Sequence, residues 1–259
     1  MSNFLNVYAE YLPQWGPRLV EAAWVTAELS LAGFVLALLL GALLVAMQRA
    51  EIAALRHAAR GFIQFMRAVP LLALLLALYF GLPAAGLTLS GYSAGILGLG
   101  LQGSAYVAEL LRAGLDSVHR GQRESALAAG LTPRQVFTYI VFPQALRVML
   151  PPLVNSYVAL LKDSSLCALI ATNELMLAAR AMASEYFLPL HIFILVGLFY
   201  FAIAFPLSML SRLLSVRLAR GRRSMGGSSG PTRLGALWAR LRAAQPPASP
   251  AAERRGLSA

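Results

Sequence analysis

Two neighbouring charges of opposite sign, Lys162 and Asp163, lie in an apolar stretch that runs from Met149 to Ile170. If this stretch is a membrane-spanning helix, Lys162 lies roughly 20 Å from Met149, past the middle of a ~30 Å hydrocarbon core. A charge near the core centre costs at least ~2.5 kcal/mol, so both side chains should face protein or water. They could bind a small molecule that carries a carboxylate and an ammonium group, or form an ion pair that fixes helix packing.

Three polar residues near this pair extend the candidate pathway. Asn155 shares a helical stripe with Lys162, whereas Asp163 borders that stripe. Ser164 and Ser165 directly follow the pair. Because adjacent residues point about 100° apart on a helix, one wall of a pocket need not hold both charges. Both roles of the pair therefore stay open.

A second set of residues lies in a polar segment between two apolar stretches. This segment is too polar to cross a bilayer, and its pattern suits a short helix pair on the membrane surface. Its small residues would permit close docking of another protein, and Glu124 could pair with a basic group of that protein. An ordinary amphipathic hairpin between spans is the alternative. The residues concerned are Glu124, Ser125, Ala126, Gly130, Ile140 and Pro143.

Composition places the chain among membrane proteins. Of its 259 residues, 58% are hydrophobic and 13% are charged, whereas soluble domains have about 25% charged residues. The net charge of +11 comes from arginines that cluster in two loops and the tail, as cytoplasmic loops do under the positive-inside rule. No nucleic-acid-binding signature accompanies them, so we expect no nucleic-acid partner.

The apolar stretches and the arginines together predict an all-α protein with five membrane spans. We expect the N-terminus outside and the C-terminus inside, because the arginine-rich loops should be cytoplasmic. An external loop with Glu174 would follow the fourth span. The predicted spans are residues 22–47, 62–80, 94–115, 149–170 and 187–210, with a periplasmic segment over 1–21 and a cytoplasmic loop over 116–147.

Residues 216–259 are expected to form a basic, disordered cytoplasmic tail, because they are rich in Gly, Ser and Pro. One helical face within the tail is apolar and could lie on anionic membrane lipid. A solvated appendage is the alternative. The apolar face consists of Leu234, Leu237, Trp238 and Leu241.

The sequence lacks the motifs expected for phosphate binding, metal binding and a serine nucleophile. No GxxxxGK[ST] phosphate loop is present, so any ATP used must be bound by another subunit. The three histidines are far apart without metal-ligand spacing, and no serine has a nucleophile-elbow pattern. A chain that is not itself an enzyme, with no metal or cofactor of its own, is expected. Glu109 and Arg112, three residues apart, are predicted to form a structural ion pair.

The segment from Glu124 to Pro143 resembles the cytoplasmic loop of ABC-importer permease subunits, with its E-A-A, three residues, G, nine residues, I-x-L-P pattern. Ser125 and Phe142 are mild departures from that pattern. Further stretches resemble the branch of this family that carries polar amino acids. They are Arg67–Leu72, Tyr79–Pro83, Ala105–Glu109, Pro143–Arg147 and Lys162–Leu166.

This resemblance implies a type I importer permease in the bacterial inner membrane, of the histidine, glutamate, glutamine and arginine class. The implied partners are two ATPase subunits that bind ATP and magnesium, a second permease subunit, identical or paralogous, and a periplasmic substrate-binding protein. The polar segment would couple the permease to the ATPase. An ion-gradient-driven secondary transporter is the alternative, which inverted repeats and paired broken helices would favour.

Overall fold

The computed structural model describes residues 2–225, which form helices and turns with no strand. The all-α prediction is confirmed. The architecture below is that of the unit Met1–Val216. Of the second unit, Arg217–Ala259, only residues 217–225 are described, and they are helical. The rest of the predicted tail, with its apolar face, lies outside the described residues.

Long helices alternate with short ones along the chain. The α-helices are α1 (Ser2–Gln48), α2 (Ala53–Ala68), α3 (Leu71–Leu76), α4 (Gly91–Asp116), α5 (Arg120–Ala128), α6 (Pro133–Gln135), α7 (Phe142–Asp163), α8 (Leu175–Tyr186) and α9 (Pro189–Met225). Four tighter or wider helical segments adjoin them, namely Ala77–Gly81, Leu82–Ala85, Val136–Val141 and Ser164–Ile170.

Within the described part of the chain, four helical stretches are long and apolar enough to cross a membrane: Phe4–Gln48, Gly91–Asp116, Pro133–Ile170 and Pro189–Leu218. Helix α2 and the helical stretch Leu71–Ala85, which begins with α3, pass the same test only as a pair. The chain bends by 104° where they meet. The span count is therefore four, or five when the bent pair counts as one span.

The bend breaks the helix that the sequence predicted over residues 62–80. Val69 and Pro70 both have extended backbone angles, with ψ of 128° and 136°. The proline ring disfavours a helical conformation at the preceding residue, and proline cannot supply the amide hydrogen that a continuing helix needs. Hydropathy alone did not reveal this break.

Helix α1 includes residues 2–21, which we expected as a separate segment. Its N-terminal part is helical because one face has a packing partner: Trp15, Leu19 and Ala22 are buried in a cluster with side chains of α8 and α9. Helix α8 lies in the region predicted as an external loop, and its buried residues Leu175, Ala179 and Met182 complete that cluster.

Helix α4 packs closely along α1 and supplies one wall of the site described below. A Cβ atom at Gly41 of α1 would lie 2.7 Å from Cγ1 of Val107, so the two backbones approach as closely as glycine allows. At its other end, the backbone of Gly91 meets the carbonyl oxygen of Ile170, where the segment after α7 ends. Helices α1, α4 and α7 therefore form the frame of the unit.

Candidate functional site

A cavity of about 550 Å³ lies between α2, α3, α4 and α7. This size lies within the range of small-molecule sites. Both signs of charge and several neutral polar groups line its wall. The polar and aromatic side chains are Arg67, Gln102, Tyr106, Glu109, Asn155, Ser156 and Asp163, and the remainder of the lining is mostly apolar.

The broken backbone between α2 and α3 forms part of this cavity region. The Gln102 side-chain amide donates a 2.7 Å hydrogen bond to the Val69 carbonyl oxygen. A carbonyl freed from a helix within a bilayer needs such a partner, because lipid supplies none. Gln102 therefore stabilises the break that brings Arg67 to the cavity.

Arg67 is the cationic group of the cavity. Its guanidinium carbon lies 5.9 Å from the ring centroid of Tyr106 on α4, within the range of a cation–π contact. Among the described residues, Arg67 forms no ion pair. Its hydrogen-bond donors are thus available to an anionic group that enters the cavity.

A chain of ion pairs runs from the cavity to the adjoining end of α1. Glu109 accepts a 2.8 Å hydrogen bond from Arg112, and Arg112 also lies 3.4 Å from Asp116. Arg49, which follows α1, pairs with Asp116 at 2.7 Å. The carboxylate of Glu109 is therefore partly neutralised, whereas Asp163 has no ion-pair partner within the described range.

The structure places the predicted pathway residues in two groups. Asn155 and Asp163 line the cavity, but Lys162, Ser164 and Ser165 do not. The Ser164 and Ser165 hydroxyls donate to carbonyl groups of the preceding helical turn, at 2.7 and 2.8 Å. No ion pair joins Lys162 to Asp163 in the part of the chain that the structure describes.

Five of the polar and aromatic cavity residues were absent from the predicted pathway: Arg67, Gln102, Tyr106, Glu109 and Ser156. Gln102 and Tyr106 had a usable signal, since a polar and an aromatic side chain are spaced i, i+4 on a helix otherwise rich in glycine and apolar residues. Arg67 had no such signal, because its approach to α4 depends on the break after α2.

The polar segment forms two helical arms joined by a turn. Helix α5 carries Glu124, Ser125 and Ala126, and Gly130 in the turn has φ of +88°, which other residues rarely adopt. The chain re-enters a helix at Thr132, whose hydroxyl accepts a hydrogen bond from the Gln135 amide in a capping box. A 2.6 Å hydrogen bond between Gln122 and Gln144 connects the two arms.

The two helical arms joined at Gly130 are each buried on one side and exposed on the other. Ala126 is buried against the unit and Ile140 is half-buried, whereas Glu124, Ser125 and Gly130 are exposed. Exposed apolar side chains flank them, including Tyr139 at 69%. Pro143 lies in the first turn of α7, directly after the wider helical segment Val136–Val141. This surface presents a carboxylate beside exposed apolar groups, and the carboxylate has no ion-pair partner among residues 2–225.

A buried carboxylate, Glu174, was placed in a loop by the sequence but caps α8 in the structure. It is 0% exposed. One carboxylate oxygen accepts from the Leu177 amide at 2.9 Å, and the other accepts from the Tyr200 hydroxyl at 2.8 Å. Burial raises the pKa of Glu174, and these hydrogen bonds oppose the rise in part. No cluster of three metal-ligating side chains occurs among the described residues.

Comparison with known families decides the class. Residues 33–223 match the model of the "binding-protein-dependent transport system inner membrane component" family. The chain belongs to this family. It is thus a multi-pass permease component of the inner membrane.

Similar permeases cover most of its length. A probable glutamine ABC transporter permease, GlnM of Bacillus subtilis, is 39% identical over 61% of this chain and 74% of its own. A probable amino-acid ABC transporter permease of the same organism, YckA, is 34% identical over 78% and 90%. A crystal structure of an amino acid ABC transporter with histidines superposes with a TM-score of 0.75, at 29% identity, over 80% of this permease and 96% of that chain.

Proposed function

We propose that this permease subunit moves a polar amino acid across the inner membrane in an ATP-driven importer. The cavity is the observation that carries the proposal, because one space of about 550 Å³ holds a cation and a carboxylate that has no ion-pair partner in the described part of the chain. An amino acid presents the complementary pair, a carboxylate and an ammonium group. The amino-acid permeases among the relatives support the same substrate class.

Each charged end of the substrate has a candidate counter-ion. Arg67 would bind the carboxylate, since a guanidinium matches a carboxylate with two parallel hydrogen bonds. Asp163 would bind the ammonium group, while Asn155 offers a neutral hydrogen-bonding group nearby. Lys162, Ser164 and Ser165 would then shape the end of α7 rather than contact the substrate.

Coupling to ATP hydrolysis would pass through the exposed arms around Gly130. Glu124 and the apolar side chains beside it fit a docking surface for an ATPase subunit, which would bind ATP and magnesium itself. A second permease subunit would close the side of the cavity that one copy leaves open. A periplasmic binding protein would deliver the amino acid, and ATP-driven rearrangement of the subunits would alternate access to the two sides.

The test is uptake by the complete transporter reconstituted with its ATPase and binding protein. We expect Asp163→Asn to raise the apparent KM for the transported amino acid about tenfold, as loss of a hydrogen bond to a charged group does. Lys162→Gln is the matched control on the neighbouring residue and should leave KM within about twofold. Unchanged KM in Asp163→Asn would remove this residue from the pathway.

The same reconstituted transporter tests whether uptake is driven by ATP or, as in a secondary transporter, by an ion gradient. Uptake in an ATP-driven importer requires ATP inside the vesicles and persists when ionophores collapse ion gradients. Loss of uptake with ionophores, in the presence of ATP, would contradict the proposed energy source. The permease relatives favour the ATP-driven mechanism.

A further inference from the structure

Helix α2 has three distinct faces. One face is buried against the unit through Ala59, Ile63 and Met66, which are at most 7% exposed. At about 100° per residue, Phe65 points roughly 100° or more away from each of these side chains, and it is 60% exposed. Arg60 points away from both directions and is exposed. The helix therefore presents a protein face, an apolar exposed face and a polar exposed face.

The polar face of α2 is rich in basic and hydrogen-bonding groups. Arg60 and Arg67 are seven residues apart, so they project within about 20° of each other. His57 and Gln64 lie on the adjacent edge of this face and are exposed. A helix with such a face opposite apolar residues is typical of segments that lie in a membrane–water interface.

The two ends of α2 show how the helix is oriented. The axis of α2 bends by 104° relative to the apolar segment Leu71–Ala85. The end of α2 meets the middle of α4, where Gln102 donates to the Val69 carbonyl and Tyr106 contacts Arg67, so α2 is inclined to the membrane plane. The pairing of Arg49 with Asp116 places the start of α2 at the same end of the unit as the end of α4. This is the end that the arginine distribution predicts to be cytoplasmic.

Among the described residues, Arg60 is the arginine on this face that neither makes a hydrogen bond nor lines the cavity. Arg56 donates to the carbonyl oxygens of Ala50 and Glu51, at 2.9 and 2.6 Å, and so closes the turn before α2. Arg67 lines the cavity. Arg60 forms no ion pair among the residues that the structure describes. Beside it, Gly61 has no neighbour within 4 Å of a Cβ position, which leaves open surface between Arg60 and Phe65.

We infer that α2 rises from the cytoplasmic interface into the adjoining lipid leaflet and binds anionic phospholipid, with Arg60 at the headgroup phosphate and Phe65 among the acyl chains. The occupant follows from the combination of charge and apolar exposure. A soluble anion would match the arginine but would leave Phe65 exposed to water. A phospholipid covers both groups at once.

The depth of the two exposed faces is the first test. Cys167 is the only cysteine and is buried, so a cysteine placed at position 64 or 65 can be spin-labelled selectively in the full-length chain in lipid vesicles. We expect the label of Phe65→Cys to collide more often with oxygen and that of Gln64→Cys to collide more often with a water-soluble nickel chelate. Equal exposure of both labels to nickel, or shielding of both from either collider by a protein, would overturn the inference.

Lipid selectivity is the second test, measured by native mass spectrometry of the full-length chain with phosphatidylglycerol or phosphatidylcholine. We expect preferential binding of phosphatidylglycerol, weakened about fivefold by Arg60→Gln, as for one basic residue near an anionic surface. Arg180→Gln is the matched control, because Arg180 is an exposed arginine of α8. Equal binding of the two lipids, or an equal effect of the two substitutions, would overturn the assignment.

Discussion

The Tyr200 hydroxyl of α9 donates a 2.8 Å hydrogen bond to the carboxylate of Glu174, the residue that caps α8. The next amide along the chain, that of Leu175, donates to the hydroxyl of Thr26 on α1 at 3.0 Å. Helices α1, α8 and α9 thus meet at Glu174 and Leu175, shortly after the segment Ser164–Ile170. A buried acid therefore links α8 to α9 beside the point where α8 contacts α1.

Glu174 should make stability depend on pH. Burial raises its pKa above the ordinary value of 4.5, so the folded state binds this proton more strongly than the unfolded state. The free energy of unfolding should therefore fall as the pH rises from 4.5 through the raised pKa. Thermal unfolding of the detergent-solubilised wild type should show this decline, and Glu174→Gln should flatten it. The same slope in both proteins would contradict the prediction, and Glu10→Gln serves as an exposed control.

Gln102→Leu should destabilise the break between α2 and α3. The substitution removes the donor to the Val69 carbonyl, and a half-buried carbonyl left without a donor costs about 1 kcal/mol, the low end of the range for buried groups. Thermal unfolding should show a lower midpoint than the wild type. Gln64→Leu, at an exposed position of α2, should leave the midpoint nearly unchanged. If the two variants unfold alike, Gln102 does not stabilise the break.

Gly91→Ala should disturb the contact between α4 and the end of the α7 segment. A Cβ atom at Gly91 would collide with the carbonyl oxygen of Ile170, and backbone cannot move aside as a side chain can. Overpacking of this kind typically costs about 1–3 kcal/mol. Gly197→Ala is the matched control, since a Cβ atom there has no neighbour within 4 Å. Equal thermal stability of the two variants would refute a tight contact.

Glu124→Lys should weaken the docking of an ATPase subunit. The substitution reverses the charge on an exposed position of α5, and like-charge contacts across an interface are unfavourable. Affinity purification of the tagged chain from mild detergent should recover the ATPase with the wild type and lose it with the variant. Glu51→Lys, another exposed site, should retain it. Equal recovery with both variants would separate Glu124 from docking.

The sequence predicted the long apolar helices well because hydropathy is a property of each segment by itself. It predicted α8 as a loop because Glu174, Arg180 and Glu185 interrupt the apolar pattern. In the structure Glu174 is a helix cap, and Glu185 pairs with Arg18 of α1 at 2.8 Å. Whether such charges end a helix or stabilise it depends on a neighbour far away in sequence.

The candidate cavity was predictable only in part for the same reason. Asp163 was identified because a carboxylate in an apolar helix is costly. Lys162 satisfied the same criterion, but its direction from the helix takes it away from the cavity lining. Arg67 reaches the cavity because the backbone breaks after α2. Gln102, which stabilises this break, lies 33 residues after Val69 in the sequence.

Helix α1 contains 47 residues, which corresponds to about 70 Å, more than twice the thickness of a ~30 Å hydrocarbon core. Trp15 near one end is held among α8 and α9, and Arg49 beyond the other end pairs with Asp116. After Pro17 the helix contains no proline. One helix thus connects the α8–α9 cluster at one end of the unit to the Asp116 end of α4 at the other.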